Sequence, residues 1–215
     1  GAGPTAPDEP LDLAGGGRLQ ALRVLDQPRL DLRSISLAGA GFAVGWTDIN
    51  DPDPDITAGE TVAGQAVEAG AARFRRLEGC VMDGSSVWFT STDGGLGNGQ
   101  IWRLDPDGPD GGRLTMVLAV DRSELLTGPD NLVLSPQGSL VICEDGDQGR
   151  NRVVALGPDG TLVPIAANIA NEKEFAGATF SPDGATLFVN TQGSPGGGIL
   201  GRTLAIWGPW ENGIV

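Results

Sequence analysis

The sequence predicts an all-β fold, a β-propeller, on three observations. The strongly apolar runs are short, Gly- and Pro-containing turns separate them, and one strand–turn–strand unit recurs. The runs span 19–25, 41–46, 86–92, 100–104, 114–120, 131–135, 139–144, 152–156, 161–166, 177–181, 186–190 and 203–207. Most are rich in β-branched and aromatic residues, which suit a pleated, half-buried surface. Turns are expected at DPDG (105–108), SPQG (135–138), GPDG (157–160) and SPDG (181–184), where Pro presets one φ and Gly accepts a positive one. Helix is expected only within 57–73, where Ala and Glu dominate but three glycines intervene, and over 122–126.

The repeat is clearest between NLVLSPQGSLVICE (131–144) and GATFSPDGATLFVN (177–190). An acidic residue precedes an apolar strand at Glu78, Asp130 and Glu174, spaced by 52 and then 44 residues. That period is near a four-stranded propeller blade of roughly 40–50 residues. The chain therefore holds about three blades, with part of another before Glu78. Residues 1–17, rich in Gly, Pro and Asp with little to bury, are expected to be a flexible N-terminal segment. Residues 18–215 form the propeller portion. Three blades would leave unpaired edges, so a fragment of a larger ring, or an assembly of partial propellers, is expected.

The chemistry is bounded by composition. The chain has 215 residues, 35 Gly, 15 Pro, no His and a formal charge of −14. Without histidine, the Ser-His-Asp and Cys-His nucleophilic pairs and His-ligated zinc are excluded within this chain. A phosphate-tracking surface needs clustered Lys and Arg, and against 28 acidic residues the chain has 14 basic ones, of which Lys173 is the only lysine. No nucleic-acid partner is expected. No apolar run approaches the roughly 18 residues of a membrane span, so no membrane partner is expected either.

In a propeller the innermost strands border a central channel, so residues at one phase of the repeat converge there. Glu78, Asp130 and Glu174 are placed at that phase, with Glu144 ending the second strand of its unit. Gathered carboxylates repel one another unless a cation sits between them, which makes the four candidate metal ligands. The alternative is four ordinary turn or capping acids. Arg76, two residues before Glu78, is expected on the same side of an extended strand, where it could contact phosphate oxygens. Its alternative is a structural ion pair. Arg73 and Arg75 are expected to be solvated.

DINDPDPD (48–55) has the carboxylate density of a calcium loop but lacks the Gly and closing Glu of an EF-hand, so it reads as a surface turn. GGLGNG (94–99) reads as a hairpin loop. Cys80 and Cys143 are expected as small buried hydrophobes, with a thiolate ligand or a disulfide as alternatives. Trp88, Trp102 and Trp207 are expected in the core, and Trp210 against a blade edge.

RRLEG (75–79), WFTST (88–92), GQIWRLDP (99–106), PDNLVLSP (129–136), CEDG (143–146), NEKEFAGATFSPDGATLFVN (171–190) and TLAIWGPW (203–210) together resemble the PhoX family of alkaline phosphatases. The match is ordered from about Arg18, through WTDINDPDP (46–54), to Trp210. The resemblance implies a six-bladed propeller whose channel holds calcium and iron, and hydrolysis of phosphate monoesters. It also implies export, hence a periplasmic or secreted location. By position, Arg76 resembles the family's phosphate-holding Arg, while Glu78, Asp130, Glu144 and Glu174 resemble metal-binding acids. Leu77 stands where the family motif has Pro. The family's N-terminal half, with its iron-binding Cys, has no counterpart in the sequence, and neither cysteine here occupies that position. The chain is thus expected to be the C-terminal half of a PhoX-like propeller, inactive alone and partnered by the N-terminal half. The alternative, from another class, is a non-catalytic calcium-binding propeller that serves as an interaction scaffold.

Overall fold

The structure is a computed structural model and describes residues 16–121, 125–146, 149–210, 213 and 215. The expected flexible segment lies outside the described residues except at its last two positions, as do residues 122–124 of the second helix candidate.

Among the described residues the strands form three antiparallel sheets. The first comprises β1 (Gln20–Val24), β2 (Gly41–Asp48), β3 (Leu77–Asp83), β4 (Ser86–Ser91), β5 (Gln100–Pro106) and β6 (Gly111–Ala119), in the order β1-β2-β6-β5-β4-β3. The second comprises β7 (Pro129–Leu134), β8 (Leu140–Glu144), β9 (Arg152–Leu156) and β10 (Leu162–Ala167), in sequence order. The third comprises β11 (Phe175–Phe180), β12 (Thr186–Thr191) and β13 (Arg202–Trp207). Every apolar run falls on a strand. The residues before Glu78 do not form part of a separate blade: β2 pairs with β6, so β1 and β2 widen the first sheet.

Turn chemistry sets the hairpins. Gly108, Gly138, Gly160 and Gly184 close the four Pro-containing turns at φ +78°, +83°, +84° and +70°. One short helix, α1 (Val62–Glu68), lies within 57–73, capped by Thr61 Oγ1, which accepts from Gly64 N at 3.0 Å.

Strand alternation divides the core. On β8, Leu140 and Ile142 pack with Ile101 of the first sheet, whereas Val141 and Cys143 pack with Leu187 and Val189 of the third. The second sheet is therefore covered on both faces, which is why β8 reads as a continuous apolar run. A third cluster, on the far side of β5, surrounds fully buried Trp102, whose ring meets Phe74 edge-on at 5.6 Å. Trp88 is half-buried beneath the Arg103 guanidinium, 5.5 Å from the ring centroid. Trp207 does not join the core. It is 73% exposed, because Ile206 takes the inward face of the outer strand β13. Trp210 packs edge-on against Phe180 and donates to the Ala185 carbonyl.

The innermost strands share one irregularity. Glu78 and Gly79 of β3 oppose Thr90 alone, Asp130 and Asn131 of β7 oppose Cys143 alone, and Gly177 and Ala178 of β11 oppose Val189 alone. Such a bulge bends a strand and re-aims its side chains. Thr90 Oγ1 accepts from Gly79 N (2.9 Å) and donates to the Asp130 carbonyl (2.7 Å), joining the first two bulges. Asn131 Oδ1 accepts from Ala178 N (2.9 Å), joining the second to the third. Gly79 is required where β3 passes β7, since a Cβ there would overlap the Asp130 carbonyl oxygen.

Candidate active site

Three carboxylates meet at the end of the second and third sheets. Asp130 comes from the β7 bulge, Asp145 follows β8, and Glu174 precedes β11. One oxygen from each lies within 4.8 Å of the others, and all three are partly buried. Burial, with the charges of Glu78 and Asp145, pushes the Asp130 carboxyl up to about 6. Burial, with Asp145 and Asp130, pushes Glu174 up to about 7. Asp130 and Glu174 thus resist ionising beside their acidic neighbours, which is the electrostatic condition a cation relieves.

Arg76 stands over this group. Its Nη2 reaches Asp145 Oδ2 at 2.7 Å, Nη1 reaches Asp93 Oδ1 at 3.3 Å, and Nε lies 3.6 Å from Glu78 Oε1. The guanidinium's proton is held more tightly than usual, chiefly by the hydrogen bond to Asp145. The backbone of Arg76 is left-handed, φ +51°, so its contact with Glu78 does not come from extended-strand alternation. Arg75 is exposed, with Asp93 at 3.8 Å, and Arg73 is exposed as well.

The expected residues therefore divide. Asp130 and Glu174 come together, with Glu78 joined to them through Arg76. Glu174 is not at the bulge phase: Gly177 occupies that position, three residues later. Glu144 is not brought into the group. It shares the face of Leu140 and Ile142, turned toward the first sheet, and is fully buried. There its carboxylate accepts from Arg152 Nη2 (2.7 Å), Arg152 Nε (2.9 Å) and the amides of Arg152 and Thr127 (both 2.8 Å). Asp145, one residue on, faces the third sheet instead. Asp145 and Asp93 are the residues sequence reasoning passed over. Because every residue of β8 is buried, strand alternation alone offered no signal that would choose Asp145 over Glu144.

The donor set is all oxygen, which suits a hard cation such as calcium. No thiol joins it. Cys143 is buried, and burial pushes its thiol up to about 12. Cys80 is exposed rather than buried, and both are free thiols. A cavity of about 550 Å³ opens beside the group and is lined by Asp145, Glu174, Lys173 and Asn151. The acidic 48–55 segment stays on the surface, with Asp51 and Asp55 accepting from backbone amides two residues on. GGLGNG forms the β4–β5 hairpin loop.

Residues 3–196 match the family described as alkaline phosphatase PhoX. The chain belongs to the PhoX family. Among solved structures it is similar to Pseudomonas fluorescens PhoX in complex with vanadate, a transition state analogue, at a TM-score of 0.64 and 19% identity. At that identity the likeness establishes the fold, a β-propeller. The alignment covers 88% of this chain and 44% of that one, so the chain spans less than half the length of this PhoX. No curated protein matches the chain. Among the described residues no helix is long and apolar enough to cross a membrane.

Proposed function

We propose that this PhoX chain supplies one side of a metal-dependent phosphomonoesterase site. The observation that carries the reading is the placement of Arg76 against a three-carboxylate group drawn from two sheets. Asp130, Asp145 and Glu174, with Glu78 beside them, would hold calcium, and Asp145 takes the role expected of Glu144. Bound metal supplies Lewis-acid polarisation of the phosphoryl oxygens. Arg76 presents a planar fork of N–H donors that matches two phosphate oxygens and shares the charge developing on them. Asp93 and Asp145 hold that fork in place, so little reorganisation is needed when the ester arrives.

Iron, which the family resemblance implies, finds no thiolate here and would depend on ligands from outside this chain. The remaining ligands would come from the other half of the propeller, so this chain alone hydrolyses esters poorly. An exported enzyme, periplasmic or secreted, fits this reading.

The test is calcium-dependent hydrolysis of p-nitrophenyl phosphate by the full-length protein, before and after chelation. Turnover that chelation abolishes and calcium restores supports the reading. Calcium binding without turnover in the presence of iron would favour the non-catalytic propeller.

A further inference from the structure

Beside the carboxylates lies a loop whose side chain the mechanism above leaves unused. Residues 168–174 join β10 to β11, and two buried asparagines fold them. Asn168 Nδ2 donates to Asn171 Oδ1 (3.0 Å) and the Lys173 carbonyl (2.8 Å), while its Oδ1 accepts from the amides of Ala170 and Asn171. Asn171 Oδ1 accepts in turn from Lys173 N at 2.9 Å. Asn151 Nδ2 donates to the Glu172 carbonyl (3.1 Å), and its Oδ1 accepts from Gly146 N (2.8 Å). The loop is thus tied to the segment that carries Asp145. Buried amides with both ends engaged make a loop of one defined shape.

This loop delivers Lys173, half-buried, to the wall of the 550 Å³ cavity that Asp145 and Glu174 also line. Among the described residues the Lys173 ammonium forms no ion pair with these carboxylates. The cavity has the size that holds a whole small ligand, well beyond a phosphoryl group. Its other polar side chains are carboxylates and amides, so among the described residues Lys173 is the cationic side chain the cavity offers an anion.

We propose that Lys173 binds a second anionic group of the substrate, so that the site favours monoesters whose alcohol portion carries a phosphate or carboxylate. The proposal rests on the phosphomonoesterase reading and names the substrate class of that site. The second group is remote from the bond that breaks. Its contact is made equally in ground and transition states and therefore acts on KM.

The probes are glycerol 3-phosphate and 3-phosphoglycerate, whose alcohol portions differ in the carboxylate, assayed with the full-length protein. The wild type is expected to show the lower KM for 3-phosphoglycerate. In Lys173→Met the ratio of the two KM values should fall about tenfold, the scale of one lost charged hydrogen bond. Lys173→Arg should retain the preference. Equal KM values in the wild type, or a ratio that Lys173→Met leaves in place, would overturn the inference while leaving the phosphatase reading intact. A parallel loss on both esters would assign Lys173 to loop structure and also overturn it. Hydrolysis of neither ester by the wild type would overturn the inference alone if p-nitrophenyl phosphate is still turned over, and both readings if it is not.

Discussion

Arg76 and Asp145, 69 residues apart in sequence, meet at 2.7 Å between Nη2 and Oδ2, and this contact joins the first sheet's inner strand to the end of β8. The same Asp145 belongs to the carboxylate group suited to a cation. One side chain therefore orients the proposed phosphate-binding fork and contributes to the proposed metal site.

Arg76 is held at a left-handed φ that costs a residue with a Cβ about 1 kcal/mol or more. Arg76→Ala and Arg76→Gly should both lower kcat/KM for a phosphomonoester by roughly 10²-fold, the scale of one charged transition-state contact. The glycine variant should be the more stable by about 1 kcal/mol. Kinetics and denaturant melts on the two variants check this. Activity that returns with the stability would reassign Arg76 to structure.

Asp130→Asn and Asp145→Asn should each weaken calcium binding, because an amide brings no charge to the site. Arg76→Ala should leave calcium bound. Calorimetric calcium titration of the three variants decides the matter, and equal loss in all three would make Arg76 part of the metal support.

The pH dependence follows from Asp130 and Glu174, raised to about 6 and about 7. Between their unfolded values near 4 and these folded values, the native state binds more protons than the unfolded one. Metal-free protein should therefore lose stability from this group as pH rises from about 4 to 7. Calcium, which binds the ionised forms, should cancel the loss and release protons. Melting temperatures at pH 5 and pH 8, with calcium and with chelator, test the sign. Calcium stabilisation that is no larger at pH 8 would refute it.

Glu144→Gln should cost about 1–3 kcal/mol of stability, since it strips the charge from a buried carboxylate paired with the half-buried Arg152. Calcium affinity of the folded variant should stay near the wild-type value. A selective fall in affinity would return Glu144 to the metal site.

Gly79→Ala should destabilise by about 1–3 kcal/mol or more, because the new methyl group meets backbone of β7 rather than a side chain that can move. The displaced Asp130 should also weaken calcium binding, which a comparison with Gly84→Ala, where a Cβ meets nothing and only the φ of +58° opposes the change, can separate from general destabilisation.

The local features were legible in the sequence because near neighbours decide them. Short apolar runs bounded by Pro and Gly turns specified twelve strands, and the four turn glycines adopt the positive φ their motifs require. β3 is absent from those runs because its pairing depends on Gly79 and the bulge, where apolar content is low. Motif spacing identified Arg76, Glu78, Asp130, Glu144 and Glu174 as candidates. Tertiary structure decided which carboxylates meet. The face that β8 turns to each neighbouring sheet buries Glu144 against Arg152 and frees Asp145 toward Glu174. Sequence order leaves that choice between adjacent residues open, since only the packing of three sheets establishes which side of the strand faces the site.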